Sequence, residues 1–296
     1  MNSTQSHLLV KPDFSRKEYI TVTPQSAGWK DLSFLAVQLK NGQEWSFQTQ
    51  GNELALVVLS GSLDVTSNVG KWETIGSRKD VFHGLPTALY LPRNADFTVK
   101  AAYGDADFAC GWASATKDYP ACLVKPEDVD IELRGGENVS RQINRMIPPG
   151  FPCERLVVVE VYTPSGNWSS YPPHKHDVRR VDKDGNLIEA DLDEIYFYKI
   201  DRPEGFAFQR VYTADRRLDE LIMVSDSELV ISPEGYHPVV AAPGYNVYYL
   251  NFLAGTDQSL ANTDDPDFGW VKETWKFKDP RVPMVTLEMN HKPNNR

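Results

Sequence analysis

The chain has 296 residues, of which 41% are hydrophobic and 24% are charged, so it can build a buried core of ordinary composition. Its net charge of −10 at pH 7 comes without a basic stripe, which argues against nucleic acid as a partner. The sequence has no apolar run close to the roughly 20 residues of a membrane helix. Its amino terminus has no signal-peptide pattern, so we expect a cytoplasmic protein with no membrane partner.

Short segments rich in β-branched and aromatic residues recur along the chain, and Gly, Pro, Asp and Asn separate them. The clearest predicted strands cover residues 54–59, 156–162, 195–198, 206–212, 228–231 and 245–252. Helical periodicity is scarce, and residues 140–146 are the best short candidate for a helix. Many short strands and few helices predict an all-β fold of the sandwich or barrel type.

The two halves of the sequence resemble each other. Trp45-Ser46-Phe47, a strand and Leu91-Pro92 in the first half correspond to Trp168-Ser169-Ser170, a strand and Ser232-Pro233 in the second. A duplicated barrel would explain this order. We therefore predict two antiparallel barrels in tandem. The expected parts are an N-terminal barrel over 1–125, a linker over 126–152, a C-terminal barrel with the metal site over 153–270 and a C-terminal extension over 271–296.

Two of the six histidines form the tripeptide His174-Lys175-His176, directly after two prolines. On an extended strand, alternate side chains leave the same face, so both imidazoles would point in one direction and Lys175 in the other. Such a pair can present two neutral nitrogen ligands to one metal ion. The tripeptide is therefore the first candidate for a metal site.

Two further residues extend this candidate site. Glu194 begins the next clear strand after the histidines, and His237 follows a later turn and precedes the last strand of the predicted barrel. Three imidazoles and one carboxylate would leave one or two coordination positions open on Zn²⁺, Mn²⁺ or Fe²⁺, as a catalytic metal requires. We predict a divalent metal at His174, His176, Glu194 and His237, with zinc as the first choice.

The order of these residues resembles the cupin pattern, in which a glycine and a His-x-His pair are followed by a glutamate and a later histidine. Gly166 stands at good spacing before the pair, but the gap from His176 to Glu194 is longer than the usual few residues. Residues 183–186 read Lys-Asp-Gly-Asn, a turn signal, so we expect a hairpin insertion in this gap. The long gap also leaves three rival carboxylates, Asp177, Glu189 and Asp193.

Longer motifs are similar to those of the bacterial 5-deoxy-glucuronate isomerase family. They cover residues 171–177, 193–198, 205–213 and 235–251 in the second half and 78–82 and 85–92 in the first. This resemblance implies a bicupin, with two cupin barrels in tandem, and a step of myo-inositol catabolism. That step interconverts 5-deoxy-D-glucuronate, an aldehyde, and 2-deoxy-5-keto-D-gluconate, a ketose. The family's metal positions fall on His174, His176, Glu194 and His237.

The first half of the chain has no His-x-His pair. Glu53 lies near the position of a ligand, but Gly51 and Asp96 stand where histidines would be needed, and His83 is isolated. We therefore expect the first barrel to be structural or to form an interface.

An aldose–ketose isomerisation moves one proton between adjacent carbons and another between their oxygens, and a bound metal can stabilise the enediolate. The candidates for the base that removes the carbon-bound proton are Asp177, Tyr196, Tyr198, Tyr236 and Tyr248. Lys175 and Arg210 are candidates for a clamp on the substrate's carboxylate. Each of these residues also has a non-catalytic interpretation. Lys175 could be a solvated cation, Arg210 could form a surface ion pair, and the tyrosines could be core residues whose hydroxyls have hydrogen-bond partners.

Two other functions stay open on the sequence alone. A cupin dioxygenase that uses iron and O₂ could share the three histidines and the glutamate. A non-catalytic protein could instead bind sugar acids in the same barrel. For the isomerase we expect a small-molecule sugar acid as the partner, and exposed barrel edges argue for a homo-oligomer.

Overall fold

The structure of the protein, a computed structural model, describes residues 6–290. Within these residues, helices are restricted to α1 (Pro24–Ala27), α2 (Leu287–Asn290) and two 3₁₀ segments, Pro126–Asp128 and Gly269–Thr274. No helix in this range is long and apolar enough to cross a membrane. Strands make up most of the regular structure, so the prediction of an all-β fold is confirmed.

The strands fall into two consecutive sets. The first set is β1 (Leu9–Val10), β2 (Glu18–Val22), β3 (Ser33–Leu39), β4 (Glu44–Gln48), β5 (Asn52–Ser60), β6 (Leu63–Ser67), β7 (Gly70–Ile75), β8 (Thr87–Leu91), β9 (Asp96–Ala101), β10 (Ala106–Ser114) and β11 (Cys122–Val124). The second set is β12 (Asp130–Arg134), β13 (Arg141–Ile147), β14 (Val157–Thr163), β15 (Trp168–Ser169), β16 (His174–Lys175), β17 (Asp177–Val181), β18 (Leu187–Ile200), β19 (Phe206–Tyr212), β20 (Asp219–Ser225), β21 (Leu229–Ser232), β22 (Val239–Ala241), β23 (Val247–Gly255) and β24 (Thr263–Asp264).

The two sets form two barrels with the same strand order. In the first barrel, the sheet β11-β8-β5-β10-β3-β2 packs against the sheet β4-β9-β6-β7. In the second, the larger sheet contains β21-β18-β23-β14-β13-β12 and the smaller one is β15-β22-β19-β20. The run β8-β5-β10-β3 therefore corresponds strand by strand to β21-β18-β23-β14. This correspondence confirms the prediction of two antiparallel barrels in tandem.

The segment 126–152, expected as a linker, carries β12 and β13 of the second barrel's larger sheet. The helix expected over 140–146 is wrong, because Arg141–Ile147 is the strand β13. This strand pairs with β12 on one side and β14 on the other, and such pairing overrides a weak local preference for helix. We propose that the second barrel begins at β12 rather than at residue 153.

Both ends of the described chain contact the second barrel. β1 pairs with β21 and so extends the edge of its larger sheet. The predicted C-terminal extension, 271–296, is described as far as Asn290. Within it, the backbone N–H groups of Met284 and Val285 donate to the buried side chain of Gln142, at 2.6 and 3.0 Å. The two halves are therefore joined by more than one crossing of the chain.

Alternation along the strands separates two cores. In β5, Leu54 and Leu56 face the interior of the first barrel, which apolar side chains fill, whereas the alternate residues face the second barrel. Phe34 of β3 packs against Phe197 of β18 and Phe252 of β23, with ring centroids 5.6 Å apart in each pair. The larger sheets of the two barrels therefore lie back to back, and each is buried on both faces.

Two carboxylates, the buried Glu53 and the half-buried Asp193, join the barrels to each other reciprocally. Glu53, at the start of β5, accepts hydrogen bonds from the backbone N–H groups of residues 154–156, at 2.8, 2.6 and 3.0 Å. Asp193, on β18, accepts hydrogen bonds from the backbone N–H groups of residues 30–32, at 3.3, 2.7 and 3.2 Å. Each carboxylate thus holds the segment that leads into a central strand of the other barrel, β14 or β3.

Strand pairing shows which residues of the two barrels are equivalent. Leu54 pairs with Leu91 at the end of β8, and Glu194 pairs with Ser232 at the end of the corresponding β21. The first-barrel counterpart of Glu194 is therefore the apolar Leu54. Glu53, which we expected near a ligand position, faces the other barrel and corresponds to Asp193.

Replacing Glu53 with alanine should lower the free energy of unfolding by about 3 kcal/mol, because buried backbone N–H donors lose their acceptor. Glu53→Gln keeps one acceptor oxygen and should cost less. Urea unfolding followed by tryptophan fluorescence measures both effects. The control is Glu73→Ala, whose side chain is 67% exposed and whose effect should stay within about 0.5 kcal/mol. A Glu53→Ala variant as stable as this control would contradict the fastening role.

Candidate metal centre

His174 and His176 come from β16 and the residue that follows it. This segment pairs with β24, so it is extended and its alternate side chains point to opposite faces. The two histidines line a cavity inside the second barrel. Between them, Lys175 points to the outer face, where its Nζ lies 2.5 Å from Asp177 and 2.6 Å from Glu189. Lys175 is therefore not a clamp for a ligand in this cavity.

His176, Glu194 and His237 form a compact buried cluster. Their ligand atoms all lie within 4.8 Å of one another, and in the described part of the chain no other such group of three is found. The Nε2 atom of His176 is 2.9 Å from Oε2 of Glu194, and the Nε2 atom of His237 is 3.3 Å from the same oxygen. Three of the four predicted ligands thus converge on one point.

One nitrogen of His237 is buried and has no hydrogen bond. Its Nδ1 donates to the carbonyl of Gly235 at 2.9 Å, which leaves the lone pair on Nε2. This Nε2 lies near Glu194 but does not form a hydrogen bond with it or with any other described residue. A divalent cation would satisfy the nitrogen, and imidazole with carboxylate is a common donor set for such ions. The residues present therefore fit a metal ion.

The electrostatics of the cluster act differently on its three ionisable neighbours Glu194, His174 and His176. Burial alone would raise the pKa of Glu194, but its imidazole neighbours, with the hydrogen bond from His176 as the largest lowering cause, outweigh burial and lower the pKa to about 2. Burial and the two neighbouring imidazoles hold the pKa of His174 well below its usual value. At neutral pH the carboxylate is therefore ionised and His174 is neutral, as metal binding requires. Burial alone would lower the pKa of His176, but its hydrogen bond with Glu194 outweighs burial and raises it, so a bound metal would compete with a proton at this imidazole.

His174, the fourth predicted ligand, lies beside the cluster. Its ring centroid is 5.1 Å from that of His237 and 6.5 Å from that of His176. Its Nδ1 is 3.2 Å from the carbonyl of Pro172, and donation to that carbonyl would leave Nε2 as the nitrogen for a ligand. Its role as the fourth ligand stays a prediction.

Asp177 connects the two segments that carry the histidines. One of its oxygens accepts from Lys175, and the other accepts from the backbone N–H of Gly235 at 2.7 Å. Gly235 has a φ of +79°, and a Cβ at this position would lie 2.4 Å from a backbone oxygen, so the turn requires glycine. Asp177 is thus a positioning residue that ties His176 to the turn before His237.

None of the three rival carboxylates lies in the cluster. Asp177 and Asp193 have the partners described above. Glu189 accepts hydrogen bonds from Lys175, Arg180 and Thr263 on the outer side of the barrel. The strand β17 pairs with the first part of β18, which is the hairpin expected between the ligand-bearing segments.

Two predicted catalytic residues lie outside the cavity. Tyr248 faces the first barrel, and its hydroxyl donates to the buried Glu160 at 2.8 Å. Alternation along β23 turns the next residue, Tyr249, toward the cavity instead. Arg210 forms a two-fold hydrogen-bonded pair with Asp219, at 2.7 Å for each contact. The catalytic prediction for Tyr248 and the clamp prediction for Arg210 are therefore corrected.

Tyr196 is the predicted catalytic residue that does lie beside the cluster. Its ring centroid is 5.7 Å from that of His237, and its hydroxyl is 3.3 Å from the hydroxyl of Ser170. Burial, with the charge of Glu194 as a further cause, raises the pKa of Tyr196 well above 10. Its hydroxyl is therefore protonated at neutral pH and can donate a hydrogen bond, but it is not a ready base.

Sequence reasoning missed three arginines, Arg134, Arg141 and Arg145, which come from β12 and β13 and line the cavity. The alternation of arginine, isoleucine and arginine at 141, 143 and 145 is a strand signal with a charged face. Assigning this segment to a linker concealed that signal.

Comparison with known proteins gives close relatives along almost the whole chain. The model of the KduI/IolB family matches residues 8–271. A 5-deoxy-glucuronate isomerase of Geobacillus kaustophilus (strain HTA426) is 41% identical over 270 residues, which are 90% of this chain and 96% of the relative. Another, of Bacillus subtilis (strain 168), is 37% identical over 275 residues, which are 90% of this chain and 99% of the relative.

Solved structures agree with these relatives. An IolB-like protein from Salmonella typhimurium LT2 has a TM-score of 0.85 at 33% identity and covers 89% of this chain and 98% of its own. An oxalate decarboxylase from Lactobacillus farciminis has a TM-score of 0.61 at 11% identity and covers 89% of this chain and 90% of its own. At that identity, the second similarity shows the fold alone.

Replacing His237 with alanine should remove bound metal, because it deletes a nitrogen that is buried and aimed at the cluster. We expect the purified variant to hold about a tenth or less of the wild-type metal per chain, with an unchanged far-ultraviolet circular dichroism spectrum. Elemental analysis measures the metal. His83→Ala is the matched control, since His83 is exposed and pairs with Asp80. Equal metal content in both variants would overturn the ligand assignment.

Proposed function

The chain belongs to the KduI/IolB family, and we propose that it is a 5-deoxy-glucuronate isomerase that uses a divalent metal in its second barrel. The observation that carries this proposal is the buried cluster of His176, Glu194 and His237, in a chain that matches such isomerases along most of its length. Zinc, manganese and iron all suit a set of imidazoles and one carboxylate, and zinc is our first choice.

The proposed reaction converts an aldose into a ketose without net oxidation. The proton on C2 of 5-deoxy-D-glucuronate is transferred to C1, and the proton of the C2 hydroxyl is transferred to the aldehyde oxygen. C1 becomes a CH₂OH group, C2 becomes a ketone, and the product is 2-deoxy-5-keto-D-gluconate. Negative charge develops on the two oxygens between these transfers, so catalysis requires its stabilisation as well as a proton carrier.

We assign the metal to His174, His176, Glu194 and His237. When bound there, the metal supplies a Lewis acid for the oxygens of the reacting carbons. Apolar residues line other parts of the same cavity: Ile143, Val159, Val161, Leu253 and Leu260. These walls keep water from the reacting carbons and so strengthen the electrostatic interactions inside the cavity.

Tyr196 is assigned as a hydrogen-bond donor to one of the substrate oxygens. Its position beside His237 and its raised pKa both support donation by a protonated hydroxyl. Such a donor acts on the charge that develops during the reaction and can return a proton to oxygen. Asp177 acts on the reaction only through the turn that holds His237.

We also propose a homo-oligomer in the cytoplasm. The outer face of the second barrel's smaller sheet supports assembly, because it exposes Leu221 by 70%, Met223 by 56% and Trp168 by 38%. Large apolar side chains grouped on one face commonly mark an interface.

The function is tested by adding 5-deoxy-D-glucuronate to the protein without oxygen and following the sugar by ¹³C NMR. We expect the ketose signals to appear, to cease after metal removal by a chelator, and to return with Zn²⁺ or Mn²⁺. Turnover that needs both iron and O₂ would favour the dioxygenase instead. Binding of the sugar without conversion would favour a non-catalytic binding protein.

Replacing Tyr196 with phenylalanine should lower kcat on the order of 100-fold, because a donor to the developing charge is lost. Metal content should not change. Tyr198→Phe is the matched control: Tyr198 is also buried, but its hydroxyl donates to Gln209 at 2.8 Å. That control should affect stability and leave kcat within about threefold. A Tyr196→Phe variant with the kcat of the control would refute the assignment.

A further inference from the structure

Arg141 is a buried cation without an acidic partner. The residue is 4% exposed, and within residues 6–290 the one hydrogen bond of its guanidinium is a long contact of 3.5 Å from Nη1 to the carbonyl of Tyr171. No carboxylate of these residues lies within 4.0 Å of its guanidinium. Burying an unpaired charge is costly, so proteins retain one mainly where a ligand will pair with it.

The neighbouring arginines do have partners. Arg134 lies directly opposite Arg141 in the pairing of β12 and β13, and its guanidinium binds Glu132 at 2.7 and 2.9 Å. Arg145 pairs with Asp130 and with the same Glu132. Two cations placed opposite each other repel, and Glu132 forms ion pairs with Arg134 and Arg145 while it acts on Arg141 only at longer range. The cavity wall therefore carries an excess of positive charge at Arg141.

Arg141 shares the cavity with the metal cluster but is not part of it. Its neighbours include Tyr196 and Tyr249, whose side chains also line the cavity. In 5-deoxy-D-glucuronate the carboxylate and the reacting aldehyde are at opposite ends of the carbon chain. A group that binds the carboxylate must therefore face the same cavity at some distance from the metal. Arg141 meets this condition, and Lys175 and Arg210 do not.

We propose that Arg141 binds the substrate's carboxylate and makes the enzyme selective for sugar acids over neutral sugars. This inference rests on the proposed function and deepens it. The planar guanidinium offers paired N–H donors that match the two oxygens of a carboxylate. A neutral sugar would leave the buried cation unpaired, so the cavity disfavours it.

The test compares two substrates in the metal-loaded enzyme. One is 5-deoxy-D-glucuronate, and the other is 5-deoxy-D-glucose, in which a CH₂OH group replaces the carboxylate. We expect wild type to prefer the acid in kcat/KM on the order of 100-fold or more. Arg141→Gln should remove most of this preference by raising KM for the acid, with little change for the neutral sugar. Arg141→Lys should keep part of it.

The unfolding temperature gives a second readout. Replacing a purely structural arginine would lower this temperature, whereas our proposal predicts that it does not fall. Without ligand, Arg141→Met should unfold at a temperature no lower than wild type, because a buried unpaired charge is removed. D-Glucuronate added to the metal-free protein should raise the Tm of wild type but not that of Arg141→Met. Arg210→Gln is the control and should behave as wild type, since Arg210 pairs with Asp219 outside the cavity.

The outcomes separate the two proposals. Wild type that does not isomerise the acid overturns the proposed function. Wild type that isomerises it, with an Arg141→Gln variant that keeps the preference for the acid, overturns the role of Arg141. An Arg141→Gln or Arg141→Met variant that loses stability and slows both substrates equally indicates a structural arginine, and this also overturns the inference.

Discussion

The reciprocal hydrogen bonds of Glu53 and Asp193 hold the two barrels back to back, and the candidate metal site depends on this arrangement. Asp193 directly precedes Glu194 on β18, so alternation sends one carboxylate to the interface and the next into the cavity. A shift of one residue would exchange the two roles and turn Tyr196 away from the cavity. The backbone amides of the first barrel thus fix the register of the strand that carries Glu194.

A group of charged residues, Lys175, Asp177 and Glu189, holds the segment that carries His174 and His176 from outside the cavity. Lys175 lies between His174 and His176 in sequence, yet its ammonium group contacts Asp177 and Glu189 outside the cavity. Asp177 in turn binds the turn that precedes His237. Outer partners of this kind orient ligands and limit their motion. The lysine is therefore part of the support of the site rather than of its chemistry.

The fold could be predicted, and a metal site proposed, because both depend on local signals. Period-two alternation, turn residues and the spacing of His174, His176, Glu194 and His237 are all visible in the sequence. The orientation of Tyr248 depends on which face of its sheet meets the other barrel, and the sequence does not contain that information. Arg141 was missed for a related reason: its strand is recognisable only through its neighbours β12 and β14. Contacts distant in sequence, rather than propensities, decide these positions.

The pairing of β1 with β21 affects the order in which parts of the chain can fold during synthesis. Its partner β21 belongs to the last third of the sequence, so the start of the chain must wait for most of translation before it can pair. The same holds for the outer face of the first barrel's larger sheet, whose apolar residues share one core cluster with the second barrel. A nascent chain that carries the first barrel alone therefore exposes an apolar sheet face and leaves β1 without its partner strand. Both are features that engage chaperones. The protein has two barrels, but the shared core cluster and the pairing of β1 with β21 make the completion of each depend on the other.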